Sequence, residues 1–227
     1  MTYRAPMLKK IAENLAASDF QTLRNTLHPE VNRLAILLRR FEDTIEVMHP
    51  NDSPSAHARR LEKNGKELLQ TITKSTTQML NQIGQNVGEL NAKAMKKAEL
   101  TESENNQAQE IRSIVRRMSQ SEQLKLLEQH DPVIMSALVD AHPFLTGVDE
   151  HVLKAHTEKM LLEAAPQEMH EAEELLGFIE TIQIIDREAS ASVNEATDSE
   201  YVQNLLSKAE QDEKIHQNFI SELGRPA

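Results

Sequence analysis

Residues 54–100 read PSAHARRLEKNGKELLQTITKSTTQMLNQIGQNVGELNAKAMKKAEL, and no proline follows Pro54 in the whole stretch. A continuous helix here spans roughly 70 Å at 1.5 Å per residue. That is longer than an ordinary globular helix, so the length predicts a coiled-coil-like rod or a long bundle helix. Its apolar seam runs Leu61, Gly65, Leu68, Ile72, Met79, Ile83, Val87, Leu90 and Ala94. The narrow 3–4 spacing suits packing on another helix. We take Leu61, Leu68, Ile72, Met79, Ile83, Val87 and Leu90 as a candidate self-association seam. Between Glu67 and Glu89 the one charged residue is Lys74. A solvent-facing helix ordinarily carries charge there, so residues 68–88 are expected to be covered by other helices or other subunits. Gly84-x-x-x-Gly88 permits close helix approach, a weak signal outside a membrane.

The rest of the chain reads the same way. Residues 6–27 form a short helix or a broken pair, with Asp19 offered as an N-cap. His28-Pro29 restarts the chain, since proline suits a first helical turn. Val31, Leu34, Leu38, Phe41, Ile45 and Met48 continue as a second narrow seam, with Arg33, Arg39, Arg40, Glu42, Asp43 and Glu46 on the other faces. Thr101–Glu104, Ser119–Glu122 and Thr197–Glu200 have capping-box spacing. Asp131-Pro132 and Asp149 are helix starts, and Val148 with Leu153 is placed as a hydrophobic staple. Pro166 starts a helix expected to reach about Ala191. A last helix carries Val202, Leu205, Leu206, Ala209, Phe219, Ile220 and Leu223 and stops at Gly224. The expected fold is all-α: long coiled-coil-like helices plus a compact cluster of short helices. The divisions are a long-helix region 1–118, a short-helix cluster 119–165 and a C-terminal helical pair 166–227.

Composition narrows the function. The 227 residues contain no Cys and no Trp, six Gly and eight Pro. Thiol chemistry, disulfide scaffolds and zinc ribbons are excluded, and a turn-rich β fold is disfavoured. No apolar run approaches the roughly 18 residues of a membrane span, and MTYRAPMLKKIAENL lacks a secretory h-region. A cytoplasmic protein of the producing cell is expected. The net charge of −11 is uneven: residues 1–118 hold 18 basic and 14 acidic side chains, residues 119–227 hold 7 and 22. Such asymmetry favours ordered head-to-tail association or a nucleic-acid contact confined to the basic half.

Nucleotide-binding, nucleophile-elbow, zincin and EF-hand motifs are absent. Glu46/His49 and Glu213/His216 share Glu-x-x-His spacing, which di-metal bundles use in pairs; His49 stands at a helix end, a poor place for such a ligand. Asp149, His156, Glu163 and His170 recur every seven residues, but Pro166 interrupts the row. No catalytic residue, cofactor or metal site is therefore assigned. Basic clusters occur at Arg59, Arg60, Lys63 and Lys66, at Lys93, Lys96 and Lys97, and at Arg112, Arg116 and Arg117. Arg59, Arg60, Arg112, Arg116 and Arg117 are candidate nucleic-acid contacts, although no aromatic residue stands between them for base stacking.

The stretch Met135-Ser-Ala-Leu-Val-Asp-Ala-His-Pro-Phe-Leu-Thr-Gly-Val148, with Ser119-Gln-Ser-Glu122 and Asp131-Pro132 before it, resembles a segment of uncharacterised helical proteins of tailed phages and prophages. The resemblance covers about residues 105–165. It implies no catalytic residue. It implies a context, a phage particle or its assembly. The leading expectation is thus a non-catalytic, homo-oligomeric structural or assembly protein, incorporated into a virion or acting in its assembly. Its partners are further copies or other structural proteins. A nucleic-acid-associated protein using basic helix faces in residues 59–117 is the second expectation.

Overall fold

The computed structural model describes residues 4–100, 105–139 and 141–223, excepting the side chains of Glu46, Asn105, Phe219, Glu222 and Leu223. Among the described residues all regular structure is helical: α1 (Ala5–Ala16), α2 (His28–Glu46), α3 (Pro54–Lys97), α4 (Asn105–Val115), α5 (Gln120–Leu127), α6 (Pro132–Val139), α7 (Pro143–Thr146), α8 (Glu150–Ala164), α9 (Pro166–Thr197) and α10 (Glu200–Leu223). The all-α expectation holds. The Thr101–Glu104 capping box and the Gly224 stop lie outside the described residues. The chain groups into two compact units, Met1–Gln82 with Phe178–Ala227, and Ile83–Gly177. Both boundaries fall inside long helices, α3 and α9, whereas the compositional step falls after residue 118; packing and charge divide this chain differently.

In the first unit α1 packs along α2. His28-Pro29 does not restart the chain. The backbone stays helical from residue 21 to Glu46, with a π turn at Leu23–Leu27 just before the proline. A widened turn of this kind accommodates a residue that lacks the N–H and brings a ring. Just before it, the Phe20 amide donates to the Ser18 hydroxyl at 3.2 Å. Glu42 also departs from expectation. Its side chain is 0% exposed and turns inward. Its Oε1 accepts from the backbone amides of Arg4 at 2.7 Å and Ala5 at 3.2 Å, and from Ser192 Oγ at 3.1 Å. A carboxylate at the start of α1 satisfies orphan amides where the helix dipole favours negative charge. The Arg4 guanidinium meets Glu188 at 3.1 Å and Glu195 at 2.7 Å; hydrogen bonding to Glu195, and then to Glu188, raises the Arg4 pKa against the lowering effect of burial.

Helix α9 extends past Ala191 to Thr197 because Ala189, Val193 and Ala196 continue its buried stripe. A Cβ added at Gly65 of α3 would stand 2.7 Å from Thr197 Cγ2 and 3.1 Å from Val193 Cγ1. Gly65 is therefore the point of closest approach to α9, while Gly84 and Gly88 have nothing within 4 Å of an added Cβ. Thr197 does not open α10. Its hydroxyl bonds back to Val193 O at 3.1 Å, and Ser199 Oγ accepts from the Val202 amide at 3.4 Å.

In the second unit the short helices pack around Leu127, Met135, Leu138, Leu153 and Met160. The Ser119–Glu122 capping box is formed in both directions. Asp131 accepts from the Val133 and Ile134 amides, and Asp149 from those of His151 and Val152. Val148 and Leu153 are both buried beside that cap.

Candidate functional site

The seam assigned to self-association is already covered. Leu61, Leu68, Ile72, Met79, Ile83 and Leu90 are buried within the single chain, and Val87 is half-buried. A surface that its own chain covers is not free to receive a second one. The uncharged centre of α3 is covered on one side. Ser75 accepts from Arg33 Nη2 at 2.7 Å, and Thr76 Oγ1 bonds Ile72 O at 3.0 Å and reaches Asp186 Oδ1 at 3.1 Å. Thr73, Thr77, Gln78, Asn81 and Gln85 are exposed. The second seam is buried from Val31 to Phe41, and Met48 lies outside it, exposed.

The five arginines fall into two sets. In the first unit Arg59 donates to Glu213 Oε2 at 2.8 Å and to Ala209 O at 3.3 Å, and Arg60 pairs with Asp52. Both are neutralised by the chain's own carboxylates. In the second unit Arg112, Arg116 and Arg117 share one face with Gln109 and Ser113, following the helical spacing of α4 and its closing turn. These side chains and Leu145 line an open groove of about 620 Å³ that no acidic residue lines. Arg112 Nε donates to Ala137 O at 2.6 Å, a carbonyl of the last turn of α6.

The missing aromatic arrives through the fold. The Arg116 guanidinium lies 5.0 Å from the centroid of the Phe144 ring, 28 residues further along the chain. This is within cation–π range. The one-turn helix α7 presents that ring. His142 Nδ1 accepts from the Phe144 amide at 3.2 Å. Buried Thr146 bonds Pro143 O and accepts from the Val148 amide. Gly147 takes φ +69°, a left-handed turn residue that sits beside Arg116. With Thr146 tied inward, Phe144 points outward at 71% exposure, and Leu145 is exposed beside it.

The last part of α10 is a second uncovered feature. Every residue from Glu210 to Asn218 is exposed, Ile215 at 68%. This segment touches the remainder of its unit through the Arg59–Glu213 ion pair. A larger, mainly apolar groove of about 800 Å³ lies between α3, α8 and α9 in the second unit, with the exposed Leu162 and Leu176 on it.

The histidine row does not converge. His156 meets His130 instead, Nδ1 to Nε2 at 3.3 Å with the rings edge-on, while Asp149 caps α8 and Glu163 is exposed. His49 Nδ1 accepts from the Asn51 amide, and Glu213 is taken by Arg59. Among the described residues no three His, Asp or Glu side chains form a group able to hold a metal, and no helix is long and apolar enough to cross a membrane. No known protein family, no curated protein and no solved structure matches this chain.

Proposed function

We infer that the chain is a non-catalytic helical assembly protein that works by binding further copies of itself through surface helices rather than through the α3 seam. The observation that carries this reading is the end of α10. A helical segment of that length without tertiary cover is marginal in water. Here Ile215 is the one apolar residue among the exposed residues 210–218, and Ile220 beyond it is exposed as well. Packing onto another surface would bury Ile215, at about 25 cal/mol per Å² of apolar area removed from water. The resemblance of residues 105–165 to helical phage proteins supplies the context, assembly of a phage particle.

Light scattering coupled to size exclusion tests this, comparing the full chain with its Ile215→Asp/Ile220→Asp variant. The expected result is a defined oligomer for the native chain and a monomer of unchanged helicity for the variant. An oligomer that persists in the variant contradicts the role given to α10.

The nucleic-acid reading keeps a narrower basis. Arg112, Arg116, Arg117 and Phe144 combine positive charge with a stacking surface, but Arg59 and Arg60 are no longer available to it.

A further inference from the structure

We propose that the groove lined by Arg112, Arg116, Arg117 and Leu145, with Phe144 stacked on Arg116 beside it, is the receptor for the acidic end of α10 from a second copy of this chain. The inference rests on the assembly reading above and adds the surface that α10 meets. Charge complementarity argues for it first. The groove presents three guanidiniums and no carboxylate. On α10, Glu213 is held by Arg59, which leaves Glu210 and Asp212, beside Lys214, as the acids offered to it.

Shape and apolar content agree with the charge. Phe144 and Leu145 stand exposed at the rim. On α10, Asp212 precedes Ile215 by one turn on the same helix face. An acidic side chain one turn from an apolar anchor matches an arginine stacked beside an exposed ring. Arg and aromatic residues with satisfied, rigid surroundings are the side chains that most often dominate binding energy. Here α7 is fixed by Thr146 and Gly147, and the Arg112 guanidinium is oriented by Ala137 O. The receptor is therefore preorganised, which lowers the ordering cost of association.

An acidic helix is favoured over a nucleic acid because the cationic patch is local: residues 83–177, the unit that holds the groove, carry 17 acidic against 9 basic side chains. A patch confined to one short groove suits a short acidic segment better than an extended phosphate backbone. The contact is heterologous: groove on one copy, helix on the next. Such a contact closes reciprocally between two copies or propagates into a ring or a filament.

A charge swap on the full chain tests this. One variant carries Arg116→Glu/Arg117→Glu, a second Glu210→Lys/Asp212→Lys, and a third Phe144→Ala; circular dichroism and thermal melting check that each is folded. Sedimentation velocity at about 50 mM and about 500 mM salt reads association across the range where exposed charges become screened. Each variant alone is expected to associate at least about tenfold more weakly than the native chain. Mixing the two charge-reversed variants restores assembly, because each then meets an opposite charge in both directions. Unchanged association of the Arg116→Glu/Arg117→Glu and Phe144→Ala variants overturns the groove while leaving the α10 reading intact, provided the Ile215→Asp/Ile220→Asp variant is monomeric. A native chain that is monomeric at every concentration overturns both. Binding of a single-stranded oligonucleotide that Arg116→Glu/Arg117→Glu abolishes, without self-association of the native chain, assigns the groove to nucleic acid and overturns the proposal.

Discussion

Two helices of this chain carry apolar stripes, and the stripes meet opposite fates. Along α3, Ile72, Met79 and Ile83 are buried to 1% exposure or less. Along the end of α10, Ile215 and Ile220 stand in solvent. Spacing alone does not separate them, since the α3 seam runs at three and four positions and Ile215, Phe219 and Leu223 of α10 follow at four. The difference lies in what the rest of the chain can bring alongside. The first part of α3 faces α9, whose small residues Val193 and Thr197 close onto Gly65. From Glu210 to Asn218 every residue of α10 is exposed, and Glu213 there meets Arg59. Periodicity shows that a stripe seeks cover; it does not say whether the cover comes from the same chain.

The largest effects should fall on the buried stripe. Met79→Ala removes a side chain at 0% exposure and is expected to cost about 2–5 kcal/mol, from lost transfer energy plus a cavity. Ile215→Ala is expected to change monomer stability by less than about 0.5 kcal/mol while weakening association. Urea unfolding of dilute protein, set beside sedimentation, separates the two; equal costs to folding would erase the distinction between the helices.

A second pair of substitutions sharpens the same contrast within α3. Gly65→Ala forces a Cβ against two β-branched side chains that are stiff at χ1. The overpacking, about 1–3 kcal/mol, outweighs the gain of about 1 kcal/mol in helix propensity, so the melting temperature falls. Gly84→Ala meets nothing within 4 Å and should raise it. A stabilising Gly65→Ala would contradict the close approach of α9.

The smallest effect concerns a cap. Ser119→Ala removes a hydroxyl that bonds both the Glu122 amide and its carboxylate, and is expected to cost about 1 kcal/mol at neutral pH. Bonding from the Ser119 hydroxyl and amide holds the Glu122 carboxyl below the ordinary range. A depressed carboxyl stabilises the fold above its unfolded value, about 4.3, and that contribution is lost as pH falls through its folded value. The gap between Ser119→Ala and the native protein should therefore narrow below about pH 4. Melting temperature measured from pH 7 to pH 3 checks this; a gap that widens on acidification contradicts it.

Much of the fold is legible in the sequence, because helix starts are local chemistry. Ser119 with Glu122, Asp131 with Pro132, and Asp149 between Val148 and Leu153 all satisfy orphan amides within three residues of themselves. Long-range features are not written locally. Glu42 resembles its solvated neighbours until α1 places two amides over it. The arginine clusters at 59–60 and 112–117 look alike until Asp52 and Glu213 occupy the first and Phe144 joins the second. The turn that carries Phe144 is readable from Pro143 and Gly147; its meeting with Arg116 across 28 residues is not.

Hydrogen–deuterium exchange, followed peptide by peptide in dilute and in concentrated protein, puts the contrast between α3 and α10 to the most direct test. Protection of amides reports cover and local stability. The account predicts slow exchange over residues 61–90 at both concentrations, and exchange over residues 210–218 that is fast when dilute and slows on association. Fast exchange of residues 61–90 in dilute protein, with protection appearing there on concentration while residues 210–218 stay unchanged, would return self-association to the α3 seam and contradict it.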